Sequence, residues 1–387
     1  MNNNSKSNIR EIFKKIPSVD QLLSYCYEKY EIAFPKILLK KIIKKHLNHL
    51  RKELKSNSDL NIIDTIYKKI DKEIKINNQN KLTSIINGTG IVLHTGLGRS
   101  PISKKVLIET IDNVYPYSNL EIDILNNKRG ERNSHISYLV NSLTSSKASI
   151  IVNNNAAAVM LALNSFAENK DVIISRGELV EIGGSFRIPD VIKKANCNML
   201  EVGTTNKTHI EDYINAINSN TGLIMIAHTS NYKVVGFTES VEIKELIKVA
   251  NKKRIPVFLD LGSGALINYS KYKLPQEKLI QEYIKMGVDI ISFSGDKLIG
   301  GPQSGIICGK EKFIKKIHSN SMYRAVRCDK ITISLMETIL KTYLDKDIIT
   351  KNNLSFQLLS RTKEKLERIG KSLLSKIDKK IISNYNI

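Results

Sequence analysis

No apolar run in the 387-residue chain approaches the roughly 20 residues a helix needs to cross a bilayer, so a membrane span is not expected. The first residues are Asn, Ser and Lys with no apolar stretch behind them, so a secretory signal is not expected either. Cysteine is scarce. Cys26, Cys197, Cys308 and Cys328 lie far apart without a Cys-x-x-Cys pair, which excludes a disulfide framework and a zinc pattern and suits a cytoplasmic chain with ordinary thiols and no metal. Internal repeats are missing, and so is an RNA-binding signature such as an RRM or a KH loop. Acid is the minority charge: 38 Asp and Glu stand against 60 Lys and Arg, a formal net charge of +22. Such an excess fits either an anionic partner or a lysine-rich compositional bias.

What is present divides unevenly. With 41% apolar residues the chain can bury one large core with smaller appendages. Residues 1–86 hold 18 Lys and Arg against 9 Asp and Glu, more than a third of the excess in under a quarter of the chain. Within it, Ile9 to Ile16, Val19 to Tyr30, Phe34 to Leu54 and Leu60 to Ile76 carry apolar residues at helical spacing, which predicts a small helical domain over residues 1–80. Lys40, Lys41, Lys44, Lys45, Arg51, Lys52 and Lys55 form a basic helix face opposite Ile37, Leu38, Ile42, Leu47 and Leu50, a pattern that most often marks a solvated face over a core. Tyr25, Tyr27 and Tyr30 are spaced for core packing rather than for stacking on bases. From residue 81 to 345 short apolar strands alternate with helices, as in Asp171–Ser175, Gly222–Ala227 and Ile255–Asp260. This predicts an α/β fold with a mostly parallel, doubly wound sheet.

The chemistry concentrates in Ser292-Phe-Ser-Gly-Asp-Lys-Leu-Ile-Gly-Gly-Pro-Gln-Ser-Gly305, where an apolar strand ends near Lys297 and glycines follow. A lysine amine becomes nucleophilic when burial or a nearby cation lowers its pKa, and it then condenses with an aldehyde such as that of pyridoxal 5'-phosphate (PLP). Asp260 closes the apolar run Ile255-Pro-Val-Phe-Leu and precedes Leu261-Gly-Ser-Gly264, a placement suited to holding a pyridinium N–H. Taken alone, that aspartate reads more readily as a turn or cap residue. Ser149-Ile-Ile-Val152 reads as a strand, after which Asn153-Asn-Asn-Ala-Ala-Ala158 opens a helix whose free N–H groups suit a phosphate. Asn-rich turns are by themselves usually simple caps. The chain order of anion seat, strand-end Asp and strand-end Lys is that of aminotransferase-like, fold type I PLP enzymes.

Seven segments carry a closer likeness: Asn87–Arg99, Val152–Ala158, Ser175–Asp190, Glu201–Asn206, His228–Tyr232, Asp260–Gly264 and Ser292–Gly305. In these the chain resembles the L-seryl-tRNA(Sec) selenium transferase family, the bacterial selenocysteine synthases, from about Ile16 to Lys351. The resemblance implies a PLP enzyme that converts seryl-tRNA(Sec) to selenocysteinyl-tRNA(Sec) with selenophosphate, through β-elimination to aminoacryl-tRNA and selenium addition. It also implies an N-terminal domain that grips tRNA and a homo-oligomeric ring of dimers meeting at Thr204 and Thr205. Cofactor-binding candidates are Lys297, Asp260, Asn154, Asn155 and Ala156, with His228, Ser292 and Ser294 in the flanking segments. Arg99, Arg324 and Arg327 match positions the family uses for the selenophosphate anion. A serine hydroxyl leaves only if protonated, and Asp296, next to Lys297, is the first candidate acid, with His94 behind it.

Two departures stand out. The family's Gly-x-Arg-Gly-Ser-Arg-like stretch reads Gly130-Glu-Arg-Asn-Ser-His135 here, which weakens an inferred role for Arg132 or His135. Family members continue into a compact C-terminal domain, whereas residues 346–387 read as the start of an incomplete one, a helix-like stretch from Leu354 to Ile382 followed by Ser-Asn-Tyr-Asn-Ile387. Rival functions are a PLP lyase acting on a small amino acid or amino sugar phosphate, against which the helical N-terminal segment argues, and an inactive tRNA-binding homologue, against which Asn154, Asp260 and Lys297 argue.

Overall fold

A computed structural model describes residues 13–30, 35–56, 61–182, 186–228, 232 and 234–377. The chain divides into two compact units, Met1–Ile86 and Asn87–Ile387. In the first, helices α1 (Val19–Lys29), α2 (Lys36–Ser56) and α3 (Asn61–Asn78) enclose a core of Leu22, Leu23, Cys26, Leu39, Ile43, Leu47, Leu50, Leu54, Ile66, Ile70 and Ile74. Ser18 starts α1 with a capping box, its Oγ accepting from Gln21 N at 3.1 Å while Gln21 Oε1 accepts from Ser18 N at 2.7 Å. The buried stripe of α2 runs through Leu39 and Ile43, so Ile37 (74% exposed) and Leu38 lie on the surface, against the expectation from helical spacing. Lys41, Lys44, Lys45 and Arg51 are exposed on this helix as expected. Tyr25 and Tyr30 pack against the core, while Tyr27 is exposed. The expected helical positions 9–12, 34 and 60 lie outside the described residues.

The second unit is built on a seven-stranded sheet. Its strands are β1 (Ala148–Val152), β2 (Asp171–Ser175), β3 (Asn198–Val202), β4 (Thr221–Ala227), β5 (Val257–Gly262), β6 (Ile290–Ser294) and β7 (Gly305–Gly309), in the order β1-β7-β6-β5-β4-β2-β3. All neighbours pair in parallel except β7, which runs against both β6 and β1. Both faces are covered, which is why the strands read as unbroken apolar runs. Ile151, Ile173, Ile224, Leu259, Ile291 and Ile306 face one core, which includes Ile333, Met336 and Ile339 of a helix over Lys330–Thr342. Ile150, Val172, Leu223, Phe258, Ile290 and Ile307 face the other, with Ala158, Val159 and Ala162 of helix α4 (Asn155–Ala167).

Two local features place the chemistry. The β5–β6 ladder pairs Ser292 with Asp260 and then jumps to Phe293 with Gly262, a bulge that sets Ser292 and Asp260 side by side. The β6–β7 connection is tied by Gly295 N to Ser304 O (2.9 Å), Gly301 N to Gly295 O (2.9 Å) and Gly300 N to Lys297 O (3.0 Å), so Lys297 rides on a braced turn just past the strand end. The helix expected from Leu354 to Ile382 is two helices, Leu354–Leu359 and Lys363–Leu374, because Thr362 Oγ1 caps a new start at Lys365 N (3.3 Å). Phe356 of the first is buried in the large core, whereas the second buries no residue. Positions 378–382 lie outside the described residues. Among the described residues no helix is long and apolar enough to cross a membrane, and no group of His, Cys, Asp or Glu is arranged to hold a metal ion.

Gly305 is where β7 passes the start of α4. A Cβ there would stand 2.6 Å from the Asn154 carbonyl carbon and nearer still to its oxygen. Backbone atoms yield little, so Gly305→Ala is expected to lower stability by about 1–3 kcal/mol, the usual cost of overpacking. Urea unfolding followed by circular dichroism measures it, and an unchanged midpoint would show that the helix start moves aside freely.

Candidate active site

Lys297 is half-buried, and its amine makes no hydrogen bond among the described residues. Burial lowers its pKa first, the Arg99 guanidinium lowers it further, and the carboxylates of Asp260, Asp296 and Glu277 act in the opposite sense. The net direction is downward, toward a free amine. The other lysine of this region behaves differently: Lys310 Nζ donates to the buried Asp289 Oδ1 at 2.6 Å, and Asp289 Oδ2 accepts from Val257 N at 2.9 Å, so Lys310 is held in a structural ion pair.

Asp260 is buried, and three donors converge on its Oδ1: Asn155 Nδ2 (2.8 Å), Ser292 Oγ (2.9 Å) and Gly262 N (3.3 Å). Burial raises its pKa, and these bonds together with Lys297 oppose the rise. No donor among the described residues reaches Oδ2, and Asn155 Oδ1 is buried without a partner. The set therefore offers one free carboxylate oxygen and one orphaned acceptor to whatever enters, which fits a pyridinium N–H and a ring substituent of PLP. His228, exposed at the end of β4, donates its backbone N–H to Asp260 O at 2.9 Å. Ser294 is buried at the end of β6.

The start of α4 is the helix terminus expected to seat an anion. Asn154 is the N-cap, its Oδ1 accepting from Ala157 N at 2.8 Å, and the N–H groups of Asn155 and Ala156 are among those a helix start leaves without an intrahelical acceptor. Asn153 N donates to Val326 O at 2.9 Å, which ties the segment carrying Arg327 to this corner.

The arginines fall into two groups. Arg99 Nη1 contacts both oxygens of Asp296, at 3.3 and 3.2 Å, and Ser100 Oγ donates to Lys297 O at 3.2 Å, so the turn following His94 clasps the lysine turn. His94 is half-buried at the head of that turn with Nδ1 enclosed and unpartnered. Arg327 instead lies against Glu121 Oε1 (3.4 Å), which also accepts from Arg132 Nε at 2.6 Å, while Arg129 Nη2 reaches Glu121 Oε2 at 3.3 Å. Arg132 first, and then Arg327 and Arg129, hold the Glu121 carboxyl below its ordinary range. Arg324 is exposed beside this cluster. One chain therefore does not bring Arg99 into the same ion-pair group as Arg324 and Arg327.

The family model described as L-seryl-tRNA selenium transferase matches residues 85–387. The chain belongs to that family. It is 44% identical over 374 residues to the L-seryl-tRNA(Sec) selenium transferase of Alkaliphilus oremlandii, covering 95% of this chain and 80% of that relative. Against the enzyme of that name from Clostridium botulinum (strain Okra / Type B1) it is 42% identical over 357 residues, covering 92% and 77%. Among solved structures, D-glucosaminate-6-phosphate ammonia-lyase is similar in fold, with a TM-score of 0.52, 19% identity and 65% of each chain covered.

Reading the sequence missed Glu277, whose Oε2 accepts from Ser263 Oγ at 2.6 Å and whose charge acts on Lys297. Its only signal was a carboxylate shortly after the Asp260–Gly264 segment. The Arg99–Asp296 pair was also invisible, because it joins residues 197 positions apart. Removing the guanidinium in Arg99→Ala deletes a cation that lowers the Lys297 pKa and leaves Asp296 unopposed beside the amine. Both changes raise it, so half-maximal reaction of Lys297 with an aldehyde probe should shift to higher pH, as read by borohydride trapping and peptide mapping. An unshifted profile would remove Arg99 from the activation of Lys297.

Proposed function

We propose that this chain converts L-seryl-tRNA(Sec) to L-selenocysteinyl-tRNA(Sec), with selenophosphate as selenium donor and PLP as cofactor. The observation that carries it is the set of groups a family member turns to one site: a lysine amine with a lowered pKa, an Asp260 oxygen that takes no donor and a helix start at Asn155 and Ala156.

When bound, PLP supplies an aldehyde carbon for an amine and a ring that accepts the electrons of the Cα–H bond. Lys297 would hold it, Asp260 Oδ2 would accept its ring N–H, and the backbone N–H groups of Asn155 and Ala156 would bind its phosphate. Ser292 and Asn155 position Asp260 by fixing its other oxygen. Lys297 Nζ, as a free amine, would be the base for the Cα proton. Arg99 and, across a subunit boundary, Arg324 and Arg327 suit a small, highly charged anion, because a guanidinium fork binds phosphate-type oxygens in pairs. That arrangement is the reason the reading includes a homo-oligomer. It also accounts for exposed Tyr115, Tyr117, Ile124, Leu125, Val235 and Phe237, which form uncovered apolar surface on the large unit. Thr204 and Thr205 are both exposed, with Thr204 N donating to Lys207 O at 2.8 Å, so their turn is available for contact between dimers. The reaction belongs in the cytoplasm, where charged tRNA is found.

Two measurements test the reading. A charge-assisted hydrogen bond contributes about 1.5–3 kcal/mol, so Asp260→Asn should weaken PLP retention by roughly tenfold to a hundredfold, followed by cofactor absorbance during dialysis. Equal retention would detach Asp260 from the pyridinium. The basic face of α2 is read as an electrostatic footprint on tRNA. Changing Lys41, Lys44 and Arg51 to Gln should flatten the salt dependence of tRNA binding by somewhat under one log unit per log unit of salt for each phosphate no longer neutralised. Equal slopes for parent and variant would assign the basic charge to composition alone.

A further inference from the structure

After β7 the chain returns to the lysine turn and closes it from behind. Lys297, Leu298 and Ile299 present three successive carbonyls, and a side chain from elsewhere in the large unit reaches each. Ser100 Oγ donates to Lys297 O at 3.2 Å, Tyr269 Oη to Leu298 O at 3.0 Å, and Asn353 Nδ2 to Ile299 O at 2.9 Å. Tyr343 Oη lies between the last two, 3.0 Å from Leu298 O and 2.9 Å from Ile299 O. Gly300 follows with φ +76°, and a Cβ there would stand 2.5 Å from Asn353 Oδ1 and 2.9 Å from Ser355 Cβ, so the turn lays its bare backbone directly on this stretch.

The same stretch holds the other half of the site. Two residues after Asn353, Ser355 Oγ donates to Pro101 O at 3.1 Å, in the turn that carries Arg99 and Ser100. Asn353 and Ser355 are both fully enclosed, at 0% exposure. Asn353 Oδ1 caps the helix over Leu354–Leu359 by accepting from Phe356 N at 3.0 Å, and the Phe356 ring packs edge-on to Tyr272 with centroids 4.7 Å apart, so the spacing of Asn353 and Ser355 is fixed. Arg99 needs such support. Its backbone is left-handed, with φ 58°, a conformation that a non-glycine residue keeps only where its surroundings hold it. Its ion pair with Asp296 leaves the arginine side chain 25% exposed, and pairs open to solvent hold their partners weakly.

We propose that Asn353 and Ser355 are positioning residues that hold the Arg99 turn against the Lys297 turn. One grips Ile299 O and the other Pro101 O, so the two turns are joined through the C-terminal stretch as well as through the Ser100–Lys297 contact. Both residues act through Arg99 and through the backbone beside the amine, as supports of a reactive group do. The charged groups that act on Lys297 are Arg99, Asp260, Asp296 and Glu277, and of these only Arg99 favours the neutral amine. Letting the Arg99 turn drift withdraws that cation and leaves Asp296 unopposed, and both changes favour the protonated amine. The proposal rests on the reading of Lys297 as the amine that takes an aldehyde, and it holds whatever the substrate.

Ser355→Ala removes the hydroxyl on Pro101 O and nothing else, and Asn353→Ser removes the donor to Ile299 O while keeping a residue that caps the helix. The full chain is treated with pyridoxal 5'-phosphate across a pH series, trapped with borohydride and mapped for label on Lys297. Half-maximal labelling should move to higher pH in each variant, in the direction of Arg99→Ala and no further than it. Residues that act through one another do not add, so Arg99→Ala with Ser355→Ala should titrate as Arg99→Ala alone. A Ser355→Ala profile that superimposes on the parent overturns the proposal, and with a lowered melting temperature it marks a structural prop. So does a double variant displaced by the sum of the single shifts, which would mean that Ser355 acts apart from Arg99. If Ser355→Ala does not fold, Asn353→Ser decides on the same comparisons. A parent that takes no label on Lys297 overturns the reading of that lysine and this proposal with it, whereas equal profiles for parent and variants overturn this proposal alone.

Discussion

The large unit is organised around the enclosed carboxylate of Asp260. A charge inside a sheet is expensive unless hydrogen bonds answer it, and here the answer comes from three directions onto a single oxygen. The β5–β6 bulge brings Ser292 alongside, Gly262 at the end of β5 turns its backbone N–H inward, and the first residue of α4 reaches across from the helix start. Because one oxygen takes all the donors, the other keeps its acceptor capacity. The position of α4, the break in the ladder and the glycine turn are in this sense consequences of one desolvated group.

The sequence made the parts with local signatures legible and hid those made by distant partners. The strand-end acid, the strand-end lysine and the Asn-Asn-Asn helix start were readable because apolar runs, glycines and capping residues act within a few positions of themselves. Asp296 was read as a proton donor because it adjoins Lys297, whereas its contact with Arg99, 197 positions away, had no local signal. Ser355 carried no signal, since only the return of the chain after β7 brings its hydroxyl to Pro101 O. Helical spacing on α2 placed Ile37 and Leu38 inside; the packing against α1 and α3 selects the row through Leu39 and Ile43, two apolar rows being available where lysines are interspersed. The stop at Ser360 lay in a polar cap that an apolar tally passes over.

The distribution of ion pairs divides the cationic side chains into two kinds. Lys310 and Arg132 are committed, each at about 2.6 Å from a carboxylate that also has other work, in holding β5 or in gathering Arg327 and Arg129. Lys297 has no such commitment, and its surroundings keep its amine closer to the neutral form than any solvated lysine would be. Three carboxylates lie near enough to oppose this and still do not reverse it, which identifies enclosure, rather than repulsion by Arg99, as the leading cause.

The central sheet joins the strand made first to the strand made last. Val152 at the end of β1 pairs with Gly305 at the start of β7, and Gly305 in turn pairs with Ser294 beside the lysine turn. The helix start that would seat a phosphate therefore lacks its neighbouring wall until β7, the last strand of the sheet, has left the ribosome. Early in synthesis the chain contains the Asn-rich turn but no enclosed carboxylate, and later the carboxylate but no lysine. Cofactor capture through Lys297 is thus tied to the last part of the sheet to be made, and a fragment released before it has no amine at this site with which to hold the aldehyde.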